Sequence, residues 1–219
     1  MRFKKIIVTA GPTKEWIDPV RYISNASSGK MGFLIATEML KYNQNTVYIY
    51  GGVTEKYSLF QGQKFQIETT QDLLESILEK LEEDTLIIMA AAPADFKPTK
   101  TSSEKIKKNG SENLIIELTQ NPDILKTINQ NIREKNFQNV RLIGFAAETN
   151  DLEKNAEAKL LKKGLDFIVG NYVGKGQGFG EVDSSVKIFS AKGLELEIIN
   201  SSKEIISSKI VSFILNAYG

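Results

Sequence analysis

The sequence predicts an α/β protein built on a doubly wound, mostly parallel sheet with helices on both faces. Short runs rich in β-branched residues alternate with segments in which apolar residues recur at helical spacing. The run Leu86–Met89 is apolar at every position, which is typical of a strand covered on both faces. This βαβ rhythm predicts a Rossmann-like sheet, extended near the end of the sequence by a small β-hairpin.

Each element has its own local signal. The strand candidates, in chain order, are Ile6–Val8, Thr46–Tyr50, Phe65–Glu68, Leu86–Met89, Arg141–Phe145 and Phe167–Val169. Helical spacing covers 71–82, 123–134 and 151–163, and a last helix is expected from about 203 to 217. The hairpin is predicted from two apolar runs on either side of a turn at 191–194, namely Val186–Phe189 and Leu196–Ile199.

The composition limits the chemistry that the protein can perform. The 219 residues include no His and no Cys, so imidazole catalysis, thiolate catalysis and most zinc sites are excluded. Catalysis must therefore use Lys, Arg, Asn, carboxylates, backbone amides or a bound cation. The formal net charge of +1 gives no reason to expect a nucleic acid or a membrane as partner.

The length of the chain and its first residues predict the number of domains and the location of the protein. A chain of 219 residues fits one α/β domain, so we expect a single domain over 1–219. The opening MRFKKIIVTA contains one short apolar run, which is too brief for a signal peptide or a membrane span. We therefore expect a cytoplasmic protein.

The run NASSGKMG at 25–32 is the strongest indication of a ligand site. Ser27–Gly29 would open a helix whose first backbone N–H groups are free, and Lys30 adds a positive charge beside them. The run lacks the Walker pattern because Met31 follows the lysine, and no G-x-G-x-x-G follows the first strand. Local chemistry alone leaves both anion binding and a plain helix cap open.

Two long stretches, Gly11–Ser28 and Ala92–Asn113, interrupt the rhythm. Both directly follow predicted strands, and in open α/β sheets ligands bind outside the carboxyl ends of the strands. We therefore expect the two stretches to line one site. The second, treated as a mobile flap over about 92–113, carries Asp95 and the basic run EKIKKN at 104–109, which by itself could also be a solvated turn.

Further polar positions follow later strands. The triplet 121–123, Asn-Pro-Asp, is typical of a helix start with Pro at the first position and an acidic first turn. Lys159 and Lys163 share one helix face, where two like charges cost stability and favour an anionic partner. Phe145, at the end of a strand, suits either the core or a ligand platform. The glycines of GKGQGFG at 174–180 predict a mobile turn.

Taken in order, these segments resemble the phosphopantothenoylcysteine synthetase family over nearly the whole chain. That family forms the second half of the bifunctional coenzyme A biosynthesis protein, and this chain resembles a free-standing version of it. The matching segments are TAGPTKEWIDPVRYISNASSGKMG at 9–32, AAAPADFKP at 90–98, EKIKKN at 104–109, NPDIL at 121–125, GFAAET at 144–149 and KLLKKGLDFIVGN at 159–171.

The resemblance implies a ligase that joins 4′-phosphopantothenate to L-cysteine. CTP would be the co-substrate, an acyl-cytidylate the intermediate, and pyrophosphate and then CMP the released products. The resemblance also implies Mg²⁺, whose ligands stay unassigned, and a homodimer. The other half of the bifunctional protein resembles an FMN-dependent decarboxylase with a catalytic His, so this His-free chain is expected to bind no FMN and to depend on a separate decarboxylase polypeptide.

The same resemblance implies roles for individual residues. Lys105 matches the flap lysine that neutralises the reacting phosphate, and Asn25 matches the residue that holds the acyl-cytidylate for attack by cysteine. Arg21 is a candidate for binding the acidic substrate, with bracing of its loop as the alternative. Nucleotide contacts are implied for Ser27, Ser28, Gly29, Lys30, Ala91, Asp95, Lys105, Asn121, Pro122, Asp123, Ile124, Phe145, Lys159 and Lys163.

Two other classes of function share the α/β rhythm. An NAD(P)-dependent or nucleotide-sugar reductase would need the dinucleotide glycine pattern and usually a Tyr-Lys pair at helical spacing, and the sequence offers neither convincingly. A non-catalytic nucleotide sensor would bind CTP without turnover. The presence of Asn25 and Lys105 argues against the sensor.

Overall fold

The computed structural model describes residues 3–108, 113–173 and 183–219. Its strands are β1 (Lys5–Ala10), β2 (Lys14–Trp16), β3 (Tyr22–Ser24), β4 (Thr46–Tyr50), β5 (Gln63–Gln66), β6 (Thr85–Met89), β7 (Phe96–Pro98), β8 (Leu118–Gln120), β9 (Arg141–Glu148), β10 (Phe167–Tyr172), β11 (Ser184–Ser190) and β12 (Gly193–Ser201). Its helices are α1 (Lys30–Leu40), α2 (Thr70–Lys80), α3 (Ile124–Glu134), α4 (Leu152–Lys163) and α5 (Lys203–Tyr218).

Eight strands form one sheet in the order β12-β11-β10-β9-β6-β1-β4-β5. The six strands from β10 to β5 run parallel, and β11 and β12 add an antiparallel hairpin at one edge. In the centre, Val8 of β1 is paired with Tyr48 of β4 and with Ile88 of β6. The predicted α/β fold class, with its mostly parallel sheet and hairpin extension, is confirmed.

Helices cover both faces of this sheet because the central strands are apolar on both. On β1, Ile6 and Val8 belong to one core cluster together with residues of α1 and α5. Ile7, between them, belongs to a second cluster together with residues of α2, α3 and α4. Since side chains alternate along a strand, an apolar residue at every position supplies two cores at once.

The chain order places a switch point between β1 and β6. From β1 the chain continues outward through β4 and β5, and then returns to form β6, β9 and β10 on the other side of β1. The connections that leave the carboxyl ends of β1 and β6 therefore diverge to opposite faces of the sheet. In open α/β sheets such a point leaves a crevice in which ligands bind.

The structure corrects several predicted bounds. The third predicted strand lies at 63–66 rather than 65–68, and β9 and β10 continue to Glu148 and Tyr172. The two long stretches are not irregular throughout, because β2 pairs with β3 and β7 pairs with β8 as antiparallel ribbons. Strands of three residues are too short for alternation to distinguish them from loop. Within the described ranges, no helix is long and apolar enough to cross a membrane.

Two predictions fall wholly or partly on residues that are not described. The mobile turn predicted at 174–180 lies outside the described residues, and so does the part of the predicted flap at 109–112. Residues 92–108 of the flap are described and take part in the contacts reported below.

Candidate functional site

The connections after β1 and β6 meet at the switch point. Pro12 and Ala92 form a parallel bridge beyond the strand ends. The backbone N–H of Ala92 donates to the Gly11 carbonyl at 2.9 Å, and the N–H of Ala91 donates to Thr9 Oγ1 at 3.1 Å. The two stretches therefore lie together at the carboxyl ends of β1 and β6, where the predicted site is expected.

Buried hydroxyl groups fasten these two connections to α2. Thr13 Oγ1 lies 2.9 Å from Thr70 Oγ1 and accepts from the backbone N–H of Ala94 at 2.9 Å. Glu15 Oε1 accepts from the backbone N–H of Thr70 at 2.9 Å. Thr13, Glu15 and Thr70 are all at most 4% exposed. Because buried hydrogen bonds are costly to break, this network holds the frame of the site in one arrangement.

Two adjoining cavities open at the switch point. The cavity at the start of α1, called here the α1 cavity, has a volume of about 420 Å³. The cavity at the start of α3, called here the α3 cavity, has a similar volume of about 420 Å³. The residues that line both are Ala91, Pro93, Asp95, Phe145 and Lys159. The two cavities therefore form one continuous cleft.

The α1 cavity contains the helix start predicted for anion binding. Gly29 is the N-cap of α1 and has a φ of 80°, a left-handed conformation that favours glycine. The backbone N–H groups of Gly29 and Lys30 point to the hydroxyls of Ser27 and Ser28, each at 3.4 Å. The sequence predicts that these N–H groups are free, but in the structure each contacts a serine hydroxyl. These contacts are long, so an anion can compete with the hydroxyls for the N–H groups.

Lys30 makes an ion pair that the sequence does not reveal. Its Nζ lies 2.8 Å from Glu204 Oε1, at the start of α5, and its side chain is 9% exposed. The same residue lines the α1 cavity together with three polar residues that sequence reasoning missed, namely Asn171, Ser184 and Lys203. Those three come from β10, β11 and α5, far along the chain, so no local motif could have associated them with residues 25–32.

Asn25 joins the two connections at the mouth of the α1 cavity. Its side-chain nitrogen donates to the carbonyl of Ala92 at 3.2 Å and to that of Pro93 at 2.9 Å. Both N–H bonds of the amide are used by the backbone, so the amide oxygen is the atom oriented to accept a further hydrogen bond. Asn25 lines the α1 cavity, as its predicted role requires.

The α3 cavity begins at the start of α3. Asp123 is the N-cap residue, and its Oδ1 accepts from the backbone N–H of Lys126 at 3.2 Å. The helix starts at Ile124, so Pro122 precedes the cap instead of occupying the first helical position, and Asp123 caps the helix instead of making its first turn acidic. A capping carboxylate satisfies N–H groups that would otherwise lack partners, so the helix begins at Ile124, directly after Asp123.

Lys159 and Lys163, the two α4 lysines that line the cleft, each have a partner in the protein. Lys163 forms an ion pair with Asp123, and Lys159 Nζ donates to the Phe145 carbonyl at 2.8 Å. Burial lowers the pKa of Lys159 below its usual value, although the nearby Glu148 carboxylate opposes this shift. Phe145 is half-buried, packs on one core cluster and also lines both cavities, so it serves core and cleft together.

Asn121 supplies an unsatisfied acceptor to the α3 cavity. Its side-chain nitrogen donates to the Ala94 carbonyl at 2.9 Å, and its backbone N–H donates to the Asp95 carbonyl at 2.8 Å. Its Oδ1 is buried and has no hydrogen-bond partner in the part of the chain that the structure describes. Such an atom is a candidate acceptor for a ligand N–H or O–H.

Two predicted site residues lie away from the cleft. The residues that line the cavities include every predicted nucleotide contact except Lys105. Lys105 is exposed and lines neither cavity, and Arg21 is half-buried and also lines neither. The Arg21 guanidinium is instead paired with Asp18 and donates to the Ile106 carbonyl at 2.9 Å, which is the loop-bracing alternative.

The residues present suit Mg²⁺ only as part of a nucleotide complex. No group of three or more Asp or Glu side chains that could hold a metal occurs among the described residues. Mg²⁺ at nucleotide sites is usually held by substrate phosphates with one or two protein carboxylates. Asp95, where the two cavities meet, is the carboxylate best placed to contribute.

The sheet and its cleft define a Rossmann-like α/β protein with a cleft at the switch point, where ligands bind in such folds. The chain belongs to the DNA/pantothenate metabolism flavoprotein C-terminal domain family, whose model matches residues 1–218. It is 34% identical over 218 residues to the coenzyme A biosynthesis bifunctional protein CoaBC of Vibrio vulnificus strain CMCP6, a match that covers 99% of this chain and 53% of that protein. The CoaBC of Bacillus subtilis strain 168 is 35% identical over 209 residues, or 95% of this chain and 50% of that protein.

Solved structures agree with this assignment. The crystal structure of the C-terminal domain of a CoaBC has 30% sequence identity and a TM-score of 0.73, and the match covers 98% of this chain and 95% of that one. A Cab2 mutant in complex with phosphopantothenate-cysteine has 16% identity and a TM-score of 0.70, over 99% and 89% of the two chains, and so supports the fold alone. The chain spans about half the length of the curated relatives that it matches.

Proposed function

We propose that this chain is a phosphopantothenate–cysteine ligase that uses CTP. The observation that carries the proposal is the convergence of the predicted nucleotide residues, all but Lys105, on two adjoining cavities at the switch point. The family match supports it, because the relatives are named as coenzyme A biosynthesis proteins and the chain aligns with about half of each.

The two cavities suit the two ends of a nucleotide. The α1 cavity offers backbone N–H groups, two serine hydroxyls and lysines, which are the donors that phosphates require. The α3 cavity offers a mixture of apolar and polar groups. One of them is Asn121, whose amide oxygen has no partner among the described residues and would accept from the amino group of cytosine. In this arrangement the triphosphate lies over α1 and the base lies near α3.

The reaction proceeds in two steps. A carboxylate oxygen of phosphopantothenate forms a bond to the α-phosphorus of CTP, and the bond from that phosphorus to the β-phosphate oxygen breaks, which releases pyrophosphate. The cysteine amine then attacks the acyl carbon, CMP leaves, and the amine loses a proton to solvent. Negative charge grows on both leaving groups, so the protein stabilises them with cations and oriented N–H donors.

Asn25 and Lys105 act in different steps of this scheme. The Asn25 amide is anchored by two carbonyls, and its oxygen is oriented to hold the acyl-cytidylate for attack by cysteine. Lys105 lines neither cavity, and in this scheme it reaches the reacting phosphate from the predicted flap and neutralises it in the first step. Mg²⁺ neutralises phosphate charge when it is bound with the nucleotide. A homodimer, a separate decarboxylase polypeptide, absence of FMN and a cytoplasmic location remain predictions that accompany this function.

A single-turnover experiment with variants tests the two assignments. The protein is mixed with Mg²⁺, CTP and 4′-phosphopantothenate, cysteine is added later, and mass spectrometry follows the acyl-cytidylate and the final product. Lys105→Gln should prevent the intermediate from forming, whereas Lys107→Gln, a matched change in the same basic run, should not. Asn25→Asp should form the intermediate but convert it slowly, because a carboxylate oxygen would face the carbonyls of Ala92 and Pro93.

One outcome would reject the role of Lys105, and another would reject the ligase itself. Formation of the intermediate by Lys105→Gln at the wild-type rate would remove that lysine from the first step. Tight binding of CTP by the wild-type protein with no intermediate at all would favour a nucleotide sensor over the ligase.

A further inference from the structure

The α1 cavity has two ends, which different strands of the sheet form. Asn25, held by two backbone carbonyls after β6, marks one end. Asn171 of β10, Ser184 of β11 and Lys203 of α5 line the other, which we call the β11 end. In the sheet, β9 and β10 lie between β6 and β11. Since neighbouring strands are about 4.8 Å apart, the two ends are separated by roughly 14 Å across the sheet.

Strand pairing brings the residues of the β11 end together. Ser184 of β11 is paired with Ser201 of β12, and Lys203 begins α5 two residues after that serine. On the other side of β11, Val186 is paired with Asn171. Ser184 is 8% exposed and Lys203 is 7% exposed. The antiparallel hairpin therefore carries a hydroxyl and an ammonium group into one buried corner of the cavity.

Lys203 lies where a lysine is unfavourable for the stability of the free protein. It is the first residue of α5, at the positive end of the helix dipole, and it is almost fully buried. Lys30, which is the first residue of α1, lines the same cavity and is 8% exposed. Two buried ammonium groups in one cavity repel each other, and an anion bound between them would offset the cost of burying both.

The charges of the α1 cavity are unequal. The described residues that line it include three lysines and one carboxylate, namely Lys30, Lys159, Lys203 and Asp95. Asp95 and Lys159 belong to the part that is shared with the α3 cavity. Away from that part, the charged side chains among the described lining residues are those of the other two lysines, and Glu204, outside the lining, pairs with Lys30. The β11 end therefore suits a group that carries more than one negative charge.

The geometry of phosphoryl chemistry relates the two ends to two parts of the reaction. In the proposed first step, the attacking carboxylate oxygen and the departing oxygen of the β-phosphate lie roughly in line, on opposite sides of the α-phosphorus. Asn25 is the residue proposed to hold the acyl group, so the carboxylate approaches from the Asn25 end. The pyrophosphate then departs toward the β11 end and keeps the electron pair of the broken bond.

We infer that Lys203, together with Ser184, binds the β- and γ-phosphates of the nucleotide, and that Lys203 determines specificity for a triphosphate over a monophosphate. An ammonium group and a hydroxyl can both donate to phosphate oxygens, and contacts between opposite charges are the stronger ones. The inference rests on the proposed ligase function for the identity of the nucleotide. It extends the phosphate site from the start of α1 to two residues near the end of the chain.

Calorimetric titration without phosphopantothenate tests this subsite in the absence of turnover. The full chain, with Mg²⁺ present, is titrated with CTP, with CMP and with inorganic tripolyphosphate. Lys203→Met should weaken the binding of CTP and of tripolyphosphate about 10- to 100-fold, the effect of losing one charged hydrogen bond. Its affinity for CMP should not change, because CMP lacks the two phosphates in question. Lys209→Met, which alters an exposed lysine of α5 outside the cavity, is the matched control and should bind all three as the wild type does.

Thermal unfolding of each variant shows whether the fold is retained. Lys203→Met replaces a buried charge with an apolar side chain of similar length, so it should melt no lower than the wild type. If Lys203→Met does not fold, Ser184→Ala takes its place. Ser184→Ala should weaken CTP binding several-fold and leave CMP binding unchanged, since it removes one neutral donor from the same subsite.

The results separate the subsite from the ligase function. Equal losses of affinity for CTP and CMP in Lys203→Met, or wild-type affinity for CTP in that variant, would overturn the inference. Pyrophosphate release by the wild type is measured separately. Binding of tripolyphosphate that depends on Lys203, without any release of pyrophosphate, would support the subsite and reject the ligase. Turnover by Lys203→Met with the wild-type KM for CTP would support the ligase and overturn the subsite.

Discussion

Lys159 is a half-buried cation of the cleft. It lines both cavities and is partly desolvated, and burial lowers its pKa. A buried ammonium is costly for the free protein, and an anionic ligand would offset that cost. A half-buried lysine in the cleft therefore agrees with the proposed nucleotide binding better than with a role in stability.

Removal of Lys159 should weaken CTP binding without loss of fold. A hydrogen bond from a charged group contributes about 1.5–3 kcal/mol, so Lys159→Met should raise the CTP dissociation constant about 10- to 100-fold. Lys162→Met, which changes an exposed lysine on the same helix, should bind CTP as the wild type does. Calorimetric titration measures both. Equal affinities for wild type and Lys159→Met would contradict the assignment.

The lowered pKa of Lys159 also predicts a pH dependence. Anion binding needs the protonated amine, so affinity for CTP should fall as pH rises through a value below the ordinary pKa of lysine. Arginine stays protonated at those pH values, so Lys159→Arg should bind with a flatter alkaline profile. If the CTP affinity of the wild type and that of Lys159→Arg fall equally as pH rises, the group that titrates is not Lys159.

Gly29 shows how one residue allows α1 to start at the cleft. A side chain there would adopt a strained left-handed conformation and would collide with the Val53 side chain. Gly29→Ala should lower the free energy of unfolding by about 1–3 kcal/mol. Gly193→Ala is the control, because Gly193 also has a positive φ but has no neighbour within 4 Å of the added carbon. Urea unfolding measures both variants. Equal decreases in the free energy of unfolding would show that the collision with Val53 adds no cost.

At the scale of single elements, α3 depends on the capping carboxylate of Asp123. Burial raises the pKa of this carboxyl, but hydrogen bonds from Lys163 and from the backbone N–H of Lys126 outweigh it, and the net pKa lies below the usual value. A depressed carboxyl pKa stabilises the folded state above the unfolded-state pKa, and this stabilisation is lost as pH falls through the folded-state pKa.

Substitutions at Asp123 separate the cap from the charge. Asp123→Ala removes both and should cost about 1–2 kcal/mol at neutral pH, whereas Asp123→Ser keeps a capping oxygen and should cost less. The difference in stability between wild type and Asp123→Ser should shrink in acid, where the wild-type carboxylate becomes protonated. Chemical unfolding at neutral and acidic pH measures this, and a pH-independent difference would contradict the charged contribution.

Long elements could be predicted from the sequence, while short ones could not. Apolar periodicity located the central strands and α2, α3 and α4 to within a few residues, because each buries a continuous face. The ribbons formed by β2 with β3 and by β7 with β8 were missed, since three residues carry almost no periodic signal. The hairpin of β11 and β12 was predicted, but its strands are longer and its turn is tighter than expected.

At the scale of the whole molecule, the site is assembled from both halves of the sheet. Sequence motifs identified the cleft residues within 25–32 and 121–125, because each segment contains the polar residues that are typical of a helix start. The pairing of Lys30 with Glu204 and the hydrogen bond from Arg21 to the Ile106 carbonyl depend on contacts across the fold, so local patterns could not reveal them. The sequence thus indicates which groups belong to the cleft but not which of them the protein already neutralises.

The most direct test of the ligase assignment is release of pyrophosphate by the full chain with Mg²⁺ and CTP. We expect release that requires 4′-phosphopantothenate, production of CMP once cysteine is added, and loss of both in Lys105→Gln. Release that is independent of phosphopantothenate, or binding of CTP with no release at all, would show that the cleft at the switch point does not join an acid to an amine.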